Sequence, residues 1–123
     1  MTDKVTTGID IIEIGRIKEA VSSWNSAFLN RVYTPSELEA CHNSPASLAG
    51  RFAAKEAILK AINPSQLVCN WHEIEVLSAS SGRPVVKLHG NIRLECSNKN
   101  MLNVDVSISH CRDYAVAVAV AQC

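Results

Sequence analysis

Two carboxylates and one amine in this chain have the types and spacing to do chemistry: Asp10, Glu56 and Lys60. Asp10 lies inside Gly8-Ile9-Asp10-Ile11-Ile12, among β-branched apolar residues. A charge there is costly unless it is paired or bound to a metal. Two readings stand: a ligand for a hard cation at a strand end, or a cap for the helix that follows. Glu56 and Lys60 lie one helical turn apart. Such pairs usually mark a solvated face and support a helix by only ~0.2–0.5 kcal/mol. The other reading is a seam where a carboxylate and an amine hold a metal and a phosphate. Asp10 and Glu56 could share that cation, with Lys60, Arg51 and His110 available for phosphate. His110 and Ser109 close Ser107-Ile108-Ser109-His110, a strand end running into a turn, where ligand groups often sit. A lone turn histidine is more often simply hydrogen-bonded in place. Arg51 lies about 140° around the helix from Glu56, so it does not share that side chain's view. No nucleophile motif and no glycine-rich phosphate loop occurs.

The elements that must position these groups follow from periodicity. Ser44 can cap a helix, Pro45 suits its first position, and Asn63-Pro64 stops it. Leu48, Phe52, Ile58, Leu59 and Ile62 form a bulky apolar arc of that helix. Gly50, Ala53, Ala54, Ala57 and Ala61 form an arc with almost no bulk, and Glu56 and Lys60 lie on the seam between the arcs. Val5 to Ile12 reads as a strand with Val5, Thr7, Ile9 and Ile11 on one face and Gly8, Asp10 and Ile12 on the other. A single helix is expected from Glu13 to about Leu29, and Thr34-Pro35-Ser36-Glu37 starts a short one. Residues 63–70 read as a loop. Trp71 to Leu77 and Val85 to His89 read as a hairpin, and Asn91 to Cys96 as a helical turn or two. Val104, Val106 and Ile108 alternate with polar residues; Tyr114, Val116, Val118 and Val120 alternate with alanines. That alanine face is a natural seat for the alanine arc of the helix. The expected class is α+β, with a mostly antiparallel sheet packed against a long central helix. Residues 1–123 make one domain.

The totals narrow the function classes. Twelve basic and twelve acidic residues cancel, so no overall charge draws the chain to nucleic acid or an anionic membrane. Cys41, Cys69, Cys96, Cys111 and Cys123 are odd in number, with no Cys-x-x-Cys spacing. Neither a disulfide framework nor a zinc site is suggested, and reduced thiols in a cytoplasmic protein are the simplest reading. The amino terminus reads as neither a signal peptide nor a membrane span.

A set of motifs then adds a resemblance. Gly8-Ile9-Asp10 is followed by Glu13 and Arg16, then by Phe28 through Arg31 and Thr34-Pro35-Ser36-Glu37. Leu48-Ala49-Gly50-Arg51-Phe52-Ala53-Ala54-Lys55-Glu56-Ala57 comes next, with Lys60-Ala61. Trp71 with Glu73-Ile74-Glu75-Val76, Gly82-Arg83-Pro84, and Ser107-Ile108-Ser109-His110 with Tyr114-Ala115 complete it. In this order the pattern resembles the small, homotrimeric type of 4′-phosphopantetheinyl transferase, the holo-acyl-carrier-protein synthases. The resemblance implies that fold, and transfer of the phosphopantetheine arm of coenzyme A to a serine of an acyl carrier protein in fatty acid biosynthesis. It implies magnesium on Asp10 and Glu56, and phosphate neutralisation by Lys60. Glu56 becomes the candidate to take the serine proton. Arg51, Ser109 and His110 would fix the nucleotide end, and Gly82 and Pro84 would shape the adenine side. A homotrimer with sites between subunits is also implied. Two departures stand out. Asn63-Pro64-Ser65 replaces the family's usual glycines. Ser22-Ser23-Trp24-Asn25-Ser26 replaces much of the first helix's basic cluster, leaving Arg16, Lys18 and Arg31 and favouring apolar carrier contact through Trp24. A non-catalytic coenzyme A or nucleotide-binding module of the same fold is the alternative from another class. A transferase serving polyketide or peptide carriers is a third.

Overall fold

The computed structural model describes residues 4–24, 26–64, 70–101 and 103–123. The order of elements is β1 (Val5–Glu13), α1 (Ile14–Trp24), α2 (Ser26–Val32), α3 (Pro35–Cys41), α4 (Pro45–Ile62), β2 (Ile74–Ser78), β3 (Pro84–Leu88), α5 (Gly90–Asn98), β4 (Asn103–His110) and β5 (Tyr114–Gln122). Two antiparallel sheets form, one in the order β1-β5-β4 and the other the β2–β3 hairpin.

Helix α4 is the axis of the domain. Ser44 caps it through a bond from the Ser47 N–H, Pro45 opens it, and Asn63 closes it in the left-handed conformation. Its alanines 53, 54, 57 and 61 pack against Ala117, Ala119 and Ala121 of β5. Two surfaces without bulk allow close approach, so the expected alanine-on-alanine seat is what forms. The helix is buried nearly all round, and Lys60 is its one exposed residue. β1 comes closest of all. A Cβ at Gly8 would collide with the Ala57 carbonyl oxygen and lie 2.8 Å from the Ala61 nitrogen. Only glycine lets the strand cross the helix there. Thr6 Oγ1 then donates to the Ala61 carbonyl at 2.7 Å.

Two expectations need correction. The helix expected from Glu13 to Leu29 is two helices, α1 and α2. The strand expected from Trp71 begins at Ile74 instead. Trp71–Glu73 is a 3₁₀ turn, started by an Asn70 cap whose own N–H donates in return to the Glu73 carboxylate. His72 therefore shares no strand face with Ile74 and Val76; its Nε2 meets the Asn30 carbonyl at 2.7 Å. The expected Thr34 start forms as a complete capping box, and its Glu37 also reaches far beyond its own helix. The Trp24 side chain, Asn25, Ser65 and Cys69 lie outside the described residues.

Candidate functional site

The first cluster sits where β1 crosses α4. Asp10 faces inward on β1, opposite Ala117 of β5, and four residues before α1 begins. That position removes the cap reading, because a cap would stand next to the helix start. Lys60 Nζ donates to the Ile9 carbonyl at 2.9 Å and lies 3.5 Å from Asp10 Oδ1. The amine's ion pair thus runs to the strand and not to Glu56, as the helical spacing suggested. Glu56 is half-buried beside them. Burial, then the Asp10 charge, pushes its carboxyl above the usual range, and Lys60 opposes the shift. Two carboxylates this close form a local excess of negative charge, which a cation relieves.

A second cluster lies at the start of α4. A cavity of about 180 Å³ is bounded by Ser47, Gly50 and Arg51 of α4, Ser78 of β2, Gly82 of the hairpin turn, Pro84 of β3, and Ile108 and His110 of β4. Four residues chosen from the sequence, Arg51, Gly82, Pro84 and His110, therefore meet in one place. Gly82 turns the chain with φ of 90°, a conformation that favours glycine. Arg51 is buried, and its Nε and Nη2 donate to the Val76 carbonyl at 3.1 Å and to Ser78 Oγ at 2.8 Å. Ser109 is not part of this cavity. It alternates with Ile108 and His110 on β4 and sits exposed on the outer face, opposite Val116. Asp10, Glu56 and Lys60 do not line the cavity either. The 140° separation on α4 is real: one chain presents two separate clusters, each a candidate half-site.

Sequence reasoning missed Gly8, Glu37, Lys55, Ser47 and Ser78. Lys55 and Glu37 form an ion pair of 2.8 Å with both side chains 0% exposed. A signal for it existed. Arg51 and Lys55 lie one turn apart among buried residues. Two cations on a buried helix face require an acid from elsewhere.

Comparison with known proteins places the chain. The family model described as the 4′-phosphopantetheinyl transferase superfamily matches residues 6–119. A holo-[acyl-carrier-protein] synthase of Dehalococcoides mccartyi is 47% identical over 116 residues, covering 94% of this chain and 97% of the relative. One from Moorella thermoacetica is 42% identical, covering 94% and 91%. The crystal structure of Helicobacter pylori holo-[acyl-carrier-protein] synthase in complex with coenzyme A superposes with a TM-score of 0.84 at 32% identity, covering 94% of this chain and 98% of that one. With the motifs, the fold and these relatives in agreement over nearly its whole length, the chain belongs to the 4′-phosphopantetheinyl transferase superfamily, in its holo-[acyl-carrier-protein] synthase family.

Proposed function

We propose that the chain transfers the 4′-phosphopantetheine arm of coenzyme A to a serine of an apo acyl carrier protein. The serine oxygen forms a bond to the pantetheine-side phosphorus. The bond from that phosphorus to the bridging oxygen breaks, and adenosine 3′,5′-bisphosphate leaves. The observation that carries this reading is the crossing of β1 over α4, which gathers Asp10, Glu56 and Lys60 in a member of this family.

Each side chain has work that its surroundings suit. Glu56, with its carboxyl pushed up, holds a proton more readily than an ordinary glutamate, which suits a group that takes the serine proton. Lys60 is exposed and held by one short bond, so its amine can swing to the phosphates and offset charge developing there. Asp10 and Glu56 offer oxygen ligands only, and no group of three or more metal-ligating side chains occurs among the described residues. A hard cation that takes its remaining ligands from phosphate and water fits that set, and magnesium is the natural occupant. Bound there, magnesium would supply Lewis acidity toward the pyrophosphate. Arg51 and His110 would hold the nucleotide end, with Gly82 and Pro84 against the base.

The separation of the half-sites supports a homotrimer that completes each site between copies. So does the outer sheet face, where Val5, Ile9, Ile11, Tyr114, Val118 and Val120 are exposed together. A contiguous apolar face of this kind marks an interface. Ser109 lies on that face and would reach a nucleotide held at such an interface. Exposed Arg16, Lys18 and Arg31 suit an acidic carrier, and the fatty acid carrier is the one we propose. Among the described residues Cys41, Cys96, Cys111 and Cys123 are free, in keeping with a cytoplasmic setting, and no helix is long and apolar enough to cross a membrane.

Incubating the protein with coenzyme A, magnesium and apo carrier should add one phosphopantetheine mass to the carrier. No gain across several carriers would sink the reading. Sedimentation should give the mass of three chains, and Ile11→Asp should give that of one.

A further inference from the structure

Among the described residues, strand β2 pairs with β3 along one edge only. Along its other edge, three charged side chains stand where a third strand would be. Lys55 Nζ donates to the Ile74 carbonyl at 2.6 Å. Glu37 Oε2 accepts from the Val76 N–H at 2.8 Å. Arg51 Nε donates to the Val76 carbonyl at 3.1 Å. In a strand the N–H and C=O of one residue point the same way, so Val76 turns both groups toward the helices, as Ile74 does its carbonyl, while the Ile74 N–H donates to the Trp71 carbonyl.

The acid at the centre of this row is saturated. Glu37 Oε1 accepts from Lys55 at 2.8 Å and from the Thr34 N–H at 2.8 Å. Lys55 also donates to the Trp71 carbonyl at 3.0 Å. Among the described residues no buried side-chain polar atom lacks a partner. A buried ion pair gains little stability over apolar residues of the same volume, so its benefit must be sought in geometry. Here the geometry ends at Arg51, whose Nη2 is fixed by Ser78 at the rim of the cavity shared with His110.

We propose that Glu37 is a positioning residue for coenzyme A. Paired with Lys55, it sets the register of β2 against α4 and thereby aims the Arg51 guanidinium, through Val76 and Ser78, into the nucleotide cavity. The inference rests on the assignment of Arg51 to the nucleotide end. Glu37→Gln tests it closely. The amide keeps the shape but must turn its NH₂ toward either the Val76 N–H or the Lys55 amine, opposing donor to donor.

Calorimetric binding of coenzyme A is measured alongside steady-state transfer. Ser78→Ala should weaken binding about threefold to tenfold, less than the full worth of one hydrogen bond to a charged group because the loss acts through Arg51, and Glu37→Gln about tenfold or more. Both should raise KM while kcat stays within about twofold, and Ser78→Thr should restore affinity. In an Arg51→Ala background both losses should vanish, because the residues act through the missing guanidinium. Equal losses with and without Arg51 would overturn the inference, as would unchanged affinity in Glu37→Gln and Ser78→Ala where Arg51→Ala alone loses it. Unchanged affinity in Arg51→Ala would instead overturn the nucleotide assignment and this inference with it. If Glu37→Gln does not fold, Glu37→Gln/Lys55→Gln removes both charges together and carries the same expectations.

Discussion

Lys55 and Lys60 stand five residues apart on one helix and live in opposite conditions. Lys55 is 0% exposed, and its amine donates to a carboxylate and two carbonyls. Lys60 is 56% exposed, with one short bond to a carbonyl and a loose 3.5 Å approach to Asp10. The contrast separates two uses of the same side chain. An ammonium fully wrapped by acceptors has no freedom to follow a reacting group, so it holds structure. An ammonium with spare donors beside two carboxylates is free to change partners when an anion approaches.

The contrast can be broken from either side. The largest effect should come from the acid beside the exposed lysine. Asp10→Ala should lower carrier modification on the order of 10³-fold, with little change in the thermal midpoint. Excess chelator should do the same to the native protein, and full activity in either case would remove the metal role. Next come the lysines themselves. Lys55→Met leaves Glu37 buried and unpaired and should destabilise the fold by about 3–5 kcal/mol in urea titration. Lys60→Met should change stability by at most about 1 kcal/mol while lowering transfer by about 10²-fold or more. If the two variants lost stability equally, the division into holding and reacting lysines would be wrong.

Smaller effects sharpen the picture. Gly8→Ala forces β1 away from the helix backbone and should destabilise by about 1–3 kcal/mol. Its activity should fall further than its stability explains, since Asp10 moves with the strand. The smallest effect concerns Glu75, which ties the Thr34 hydroxyl at 2.6 Å and His89 at 3.2 Å. Partial burial raises its carboxyl, but the bonds from Thr34 and His89 outweigh this and leave it below the usual range. A depressed acid stabilises the fold above its ordinary pKa, and that contribution is lost as pH falls through its folded value. Glu75→Gln should therefore be less stable than the native chain at neutral pH, with the gap closing below about pH 4. A gap that widened in acid would refute the assignment.

Much of this arrangement was legible in the chain itself. Period-two alternation marked β1, β4 and β5, and caps marked both ends of α4, because those signals depend only on neighbours in sequence. Asp10 stood out as a charge in an apolar strand, and the structure places it beside Glu56 and Lys60 as its chemistry required. What stayed hidden depended on distant partners. The Glu56–Lys60 spacing suggested a pair, yet the amine prefers Asp10 and the Ile9 carbonyl, fifty residues away or more. Glu37 looked like a complete cap, so nothing in its local pattern announced Lys55 and Val76. Ser109 looked equivalent to His110, but strand alternation sends adjacent side chains to opposite faces.

The charged row along β2 has a consequence for the life of the chain at high concentration. An unpaired strand edge is a template on which another copy or an extended peptide can add, and it is where ordered aggregates begin. Here the Ile74 carbonyl and both backbone groups of Val76 are already satisfied by side chains of the same molecule. A newcomer strand would have to expel a buried ion pair and an arginine before making its first bond. The edge beside the Arg51 cavity is thus guarded against self-assembly by the same three residues.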